Sequence, residues 1–156
     1  MCKIEFKDIK ELNLVFNIIE DINALENFKC EKLEILYLNN NKIANISVLE
    51  KVKFYKLKTL NLSYNGITNI EVLENAKFDE LEALYLNNNQ ILDINIFKKV
   101  NFKKLKNLSL QYNNIKDVKV FETKIFEYLE LLDLQENPIE TDKETIRKKL
   151  GKILKI

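Results

Sequence analysis

Apolar and polar positions in this chain follow a single rhythm. The string L-x-x-L-x-L-x-x-N-x-I recurs six times at a 24-residue step, starting at Ile9, Leu33, Leu57, Leu81, Leu105 and Leu129. Counted from the first residue of each copy, positions 1, 4 and 6 are apolar throughout, and position 11 is always Ile: Ile19, Ile43, Ile67, Ile91, Ile115 and Ile139. Position 14 is Ile22, Ile46, Ile70, Ile94 and Val118, then breaks at Asp142; position 17 is Leu25, Leu49, Leu73, Phe97 and Phe121, then breaks at Thr145. Position 22 is Phe54, Phe78, Phe102 and Phe126, with Cys30 in the first copy and Phe6 in register ahead of the array. A fixed period in this range is the mark of a solenoid, in which each repeat buries its apolar edge against the next.

The L-x-L core of each copy alternates, so its leucines face inward and the residues between them outward. Stacked copies predict a parallel sheet with strands about 4.8 Å apart. The stretch after position 14, such as Ile70-Glu71-Val72-Leu73-Glu74-Asn75, has helical or 3-10 spacing and predicts the opposite wall. Asn occupies position 9 in every copy, where the strand ends: Asn17, Asn41, Asn65, Asn89, Asn113 and Asn137. A carboxamide both donates and accepts, so a stacked Asn column is suited to satisfying backbone groups that turn into the core.

After Pro138-Ile139 the pattern stops. Thr141-x-x-Glu144 has capping-box spacing, and Ile146, Leu150, Ile153 and Leu154 then fall on one helix face. A C-terminal cap helix over 141–156 is expected, its basic residues Arg147, Lys148, Lys149, Lys152 and Lys155 solvated. Ile4 and Phe6 occupy repeat positions 20 and 22, so residues 1–8 read as a partial repeat. The expected organisation is this partial repeat, six repeats over 9–140, and the cap.

These residues make the chain similar to the leucine-rich repeat superfamily from about Phe6 onward. The continuation I-x-x-I-x-x-L (Ile43, Ile46, Leu49) resembles the short-repeat, phosphatase-regulator-like and internalin-like branch. The resemblance implies an α/β fold: a right-handed solenoid with a concave parallel sheet, short helical or 3-10 convex segments, and a concave face that binds a partner, usually a protein.

Composition narrows the chemistry. The chain has 25 Lys and Arg against 24 Asp and Glu, and no His. Near-neutrality supplies no field that points to nucleic acid or membrane. The missing His removes the commonest general base and zinc ligand. There is no glycine-rich phosphate loop, and Cys2 and Cys30 form no metal-binding cluster; Cys30 reads as a small buried hydrophobe. No apolar stretch is long enough to span a bilayer, and no signal-peptide pattern opens the chain. The expectation is a non-catalytic, intracellular (cytoplasmic) monomer without metal, cofactor or membrane partner.

Function is then expected at the variable outward positions. Position 2 alternates Lys10, Glu34, Lys58, Glu82, Lys106 and Glu130, a cross-strand charge ladder that serves solubility and register. Positions 5, 7 and 8 carry a different, 48-residue rhythm. The second and fourth copies share Tyr-Leu-Asn-Asn-Asn, with Tyr37, Asn39, Asn40 and Tyr85, Asn87, Asn88; the third and fifth place Tyr64 and Tyr112 at position 8, beside Ser63 and Gln111. A zigzag of four tyrosines with interleaved amides suits a protein interface. The first copy is apolar outward at Val15, Phe16 and Ile18, and the last is acidic at Asp133 and Glu136. The expected role is protein–protein interaction through the concave face. The alternatives are a structural or assembly subunit docked through its ends or convex wall, or an RNA-associated leucine-rich repeat protein. RNA is disfavoured because Lys42, Lys58 and Lys106 are offset by Glu34 and Glu82.

Overall fold

The computed structural model describes residues 8–122 and 126–156. Cys2, Ile4 and Phe6 lie outside the described residues, and with them the reading of 1–8 as a partial repeat is left to sequence.

Six strands of three residues stack in chain order: β1 (Glu11–Asn13), β2 (Ile35–Tyr37), β3 (Thr59–Asn61), β4 (Ala83–Tyr85), β5 (Asn107–Ser109) and β6 (Leu131–Asp133). All are parallel, and each residue pairs with its counterpart 24 positions on, as in Leu12 with Leu36 and Leu36 with Leu60. Register is fixed because a one-residue slip would turn the buried leucines to solvent. Leu36, Leu60, Leu84, Leu108 and Leu132 are fully enclosed.

The opposite wall is a row of short 3-10 segments: Asn23–Asn27, Ser47–Glu50, Glu71–Glu74, Asn95–Lys98 and Lys119–Glu122. Each is opened by an Asx turn at position 13. The carboxyl or amide oxygens of Asp21, Asn45, Asn69, Asp93 and Asp117 accept from the N–H two residues on, at 2.7–2.9 Å. Small polar residues compete locally for backbone donors, which is why the chain turns there rather than extending. Between the walls lie the buried phenylalanines. Phe97 stacks on Phe121 at 6.2 Å between centroids and meets Phe126 edge-on at 5.9 Å. Val48, Ile96 and Val120 at position 16, outside the pattern read from sequence, are also buried.

The Asn column works as expected and links neighbouring coils. Asn89 Oδ1 accepts from Ile67 N–H at 3.0 Å, and its Nδ2 donates to Leu62 O and Leu86 O, each at 3.0 Å. Asn41, Asn65, Asn113 and Asn137 repeat this geometry. Every such amide therefore fastens its own turn to the one before.

The C-terminal end departs from expectation in two respects. The helix α1 (Lys143–Leu150) is present but short, and its N-cap is Asp142, whose side chain accepts from Glu144 N–H at 3.1 Å. Thr141 instead serves the solenoid: its Oγ1 accepts from Val118 N–H and donates to Asp117, both at 3.0 Å. The expected helix face through Ile153 and Leu154 is also interrupted. Gly151, at φ 56° and ψ −130°, ends the helix. The chain then turns through Gly151–Ile153 and lays a seventh strand, β7 (Leu154–Lys155), against β6. Leu134 N–H donates to Lys155 O at 2.7 Å. The cap is thus a helix over the core end, with fully buried Ile146, plus a strand over the sheet edge. An unpaired strand edge is a template for aggregation, and β7 covers the one that β6 would present.

Candidate functional site

The sheet face and its margin carry the variable residues. The sheet ladder continues past the three-residue strands: Phe16 N–H donates to Asn39 O, Asn40 to Ser63, Tyr64 to Asn87, Asn88 to Gln111 and Tyr112 to Gln135, at 2.9–3.3 Å. Position 8 is therefore still in register from coil to coil. There the backbone turns. Phe16, Asn40, Tyr64, Asn88, Tyr112 and Glu136 all have left-handed φ, between 54° and 58°. Asn tolerates this conformation; an aromatic or Glu side chain meets its own carbonyl oxygen, at a cost of roughly 1–2 kcal/mol. Sequence reasoning placed these side chains outward without detecting the strain. The recurring Asn at position 8 was the available signal, since Asn is enriched in this conformation.

This turn separates the tyrosines into two lines rather than one zigzag. Tyr37 and Tyr85 lie in β2 and β4 and are half-buried. Tyr64 and Tyr112 stand at the margin, 52% and 53% exposed, in one column with Phe16, which is 80% exposed. Asn40 and Asn88 alternate with them, partly buried. The Asn88 side-chain nitrogen is closed off from solvent with no hydrogen-bond partner in the protein. Asn39, Asn87 and Gln111 line the sheet face at position 7, also partly buried.

The two ends differ from each other as expected, with one correction. Ile18 is 74% exposed beside Phe16, while Val15 is half-buried. At the other end Glu136 is exposed, but Asp133 is only 7% exposed. Its carboxylate accepts from Gln135 N–H at 3.1 Å and faces the amide of Gln111, whose nitrogen is placed to donate to it. Asn13 and Asn61 make the same turn contact to Val15 and Ser63. Position 5 thus braces the chain at Asn13, Asn61 and Asp133, while Ser109 instead reaches the Asn87 side chain of the preceding coil. Asp133 belongs to the bracing set, and the acidic end is presented by Glu136 and its exposed neighbours.

The position 2 ladder forms in part, between Lys10, Glu34 and Lys58 and between Glu82 and Lys106. Lys58 Nζ donates to Glu34 at 2.6 Å, Lys106 to Glu82 at 2.7 Å, and Lys10 lies 3.7 Å from Glu34. The hydrogen bond and charge of Lys58 hold the Glu34 carboxyl below its ordinary value, and Lys106 does the same for Glu82. Burial pushes the Cys30 thiol up, against thiolate chemistry. Among the described residues no group of three or more His, Cys, Asp or Glu is placed to hold a metal ion. Among the same residues no helix is long and apolar enough to cross a membrane.

A family model described as leucine-rich repeats (2 copies) matches residues 7–51 and 55–99, more than half of the chain. The chain belongs to the leucine-rich repeat family. Among solved structures, internalins are similar to it. An internalin (inlF) from Listeria monocytogenes is similar at 31% identity and TM-score 0.75, over 90% of this chain and 38% of that one. Internalin C2 (inlC2) of the same organism is similar at 25% identity and TM-score 0.62, over 96% of this chain and 70% of that one. The functional domain of InlJ, also from Listeria monocytogenes, shares the fold at 19% identity and TM-score 0.58, over 91% of this chain and 33% of that one. This leucine-rich repeat chain therefore spans about two-fifths of the inlF chain and a third of the InlJ domain. No curated protein matches it by sequence.

Proposed function

We propose that this leucine-rich repeat chain is a non-catalytic protein-interaction module that binds its partner across the concave face and its position 8 margin. One observation carries the reading: three exposed aromatics, Phe16, Tyr64 and Tyr112, are kept in a backbone conformation that disfavours them. Strain held at surface positions without benefit to the core points to function. Tyrosine supplies contact area and a polar tip with few rotors to freeze, the profile of interface hot spots. A cytoplasmic site of action is part of this reading.

Affinity purification from the source cell, with the bound protein identified and recaptured by a Tyr64→Ala/Tyr85→Ala/Tyr112→Ala variant, tests it. Loss of the partner in that variant is expected. Undiminished capture removes the concave reading. The exposed pair Phe16 and Ile18 favours a second reading, an assembly subunit docked through its N-terminal end. In that case capture survives the tyrosine changes and is lost on Phe16→Ser/Ile18→Ser.

A further inference from the structure

The position 8 margin has a spacing as well as a composition. Its backbone hydrogen bonds run in register from coil to coil, so neighbouring position 8 residues are one strand step apart, about 4.8 Å. Aromatics occupy every second step, at Phe16, Tyr64 and Tyr112, with nearly identical φ of 54–55°. The three rings thus leave equivalent backbone positions at intervals of about 9.6 Å. One turn of a polyproline II helix, three residues at about 3.1 Å each, advances about 9.3 Å. The mismatch accumulates to under about 1 Å over the two intervals, within the reach of a tyrosine side chain.

Resting on the interaction reading above, we infer that the column Phe16–Tyr64–Tyr112–Glu136 docks a polyproline II segment of a partner protein that carries a basic residue at one end. Aromatic-lined grooves recognise this conformation because it is already stiff, so little chain entropy is lost on binding. Its carbonyls make no internal hydrogen bonds and need donors. The hydroxyls of the exposed Tyr64 and Tyr112 supply them, with the partly buried Asn40 between the first two rings.

Charge fixes the end of the segment. The column is neutral from Phe16 to Tyr112 and then meets the exposed carboxylate of Glu136, one strand step on. A basic side chain just beyond the third contact pairs with it. Phe16 to Glu136 is five strand steps, about 24 Å, and eight polyproline II residues cover about 25 Å. Nucleic acid fits poorly, since no cation lies in the column and its one charge repels phosphate.

The test is fluorescence anisotropy with the whole chain and a labelled proline-rich peptide of about ten residues, bearing Arg at both ends. Saturable binding is expected, weakened at least about tenfold in a Tyr64→Asn/Tyr112→Asn variant. Asn already occupies the same backbone at Asn40 and Asn88, and a retained melting transition verifies folding. Glu136→Gln is expected to weaken the Arg-ended peptide and leave a Ser-ended one unchanged. Equal binding of a peptide with Gly in place of Pro overturns the inference, as does binding of a β-linked hexasaccharide in place of the peptide. Failure of the peptide, while a cellular protein is still captured through Tyr64, Tyr85 and Tyr112, overturns it and leaves the interaction reading standing.

Discussion

At the scale of single residues, two positions one apart in each repeat have opposite thermodynamic roles. Position 9 gives the Asn amides from Asn41 to Asn137 contacts to two coils. Removing Asn89 leaves Ile67 N–H without its partner in a buried setting, and takes one of two amide donors from each of the Leu62 and Leu86 carbonyls, which keep Asn65 and Asn113. Unsatisfied buried groups cost about 1–3 kcal/mol each, partly relieved by relaxation. Asn89→Ala is therefore expected to lose about 1–3 kcal/mol in denaturant unfolding, and an unchanged midpoint would refute the structural role. Position 8 behaves the other way. Tyr64→Asn replaces a ring in left-handed backbone with a residue that tolerates it, and is expected to gain about 1 kcal/mol while weakening partner binding. The Asn column was legible from sequence because a polar side chain that recurs among buried leucines must find hydrogen-bond partners there. The position 8 strain was not, because φ is a property of the folded turn.

At the scale of elements, the repeats are alike and the ends are not. Five Asx turns open five 3-10 segments with one geometry, and the sixth repeat puts Thr141 in the same place to brace Asp117. Spacing alone assigns the helix cap to Thr141, yet the preceding coil claims its hydroxyl and leaves Asp142 to cap α1. Gly151 then decides where the helix stops and β7 begins. Nothing lies within 4 Å of a Cβ placed there, so Gly151→Ala tests backbone conformation alone. A side chain at this φ and ψ costs about 1–3 kcal/mol. The expected result is a lower melting temperature together with faster amide exchange at Leu134, which donates to β7. Unchanged protection there would mean that β7 forms without the glycine turn.

At the scale of the molecule, stability is a sum over like interfaces, and acid should act on it smoothly. Glu34, Glu82, Asp117 and Asp142 all have carboxyls held below their ordinary values by side-chain or backbone hydrogen bonds. A lowered folded value means that the contribution is present above the unfolded value, about 4 for these groups, and is lost as pH falls through the folded one. Melting temperature is thus expected to fall below about pH 4. The fall should be shallower in Glu34→Gln/Glu82→Gln, whose pairs with Lys58 and Lys106 are already broken. These pairs are exposed, so added salt should also flatten the difference. An identical acid profile in the variant would assign the loss to other carboxylates.

Sequence alone determined the solenoid, because each apolar position must be buried and a 24-residue period leaves one way to stack the copies. It determined the Asn ladder, the charge ladder and the outward identity of Tyr37, Tyr64, Tyr85 and Tyr112 for the same reason. Tertiary structure decided what depends on neighbours and on backbone angles. It withdrew Asp133 into the wall, joined Leu154–Lys155 to the sheet, and turned position 8 into a left-handed margin where Phe16, Tyr64 and Tyr112 stand clear. Burial patterns are written in residue types; the direction of an exposed side chain is set by the φ and ψ that packing imposes.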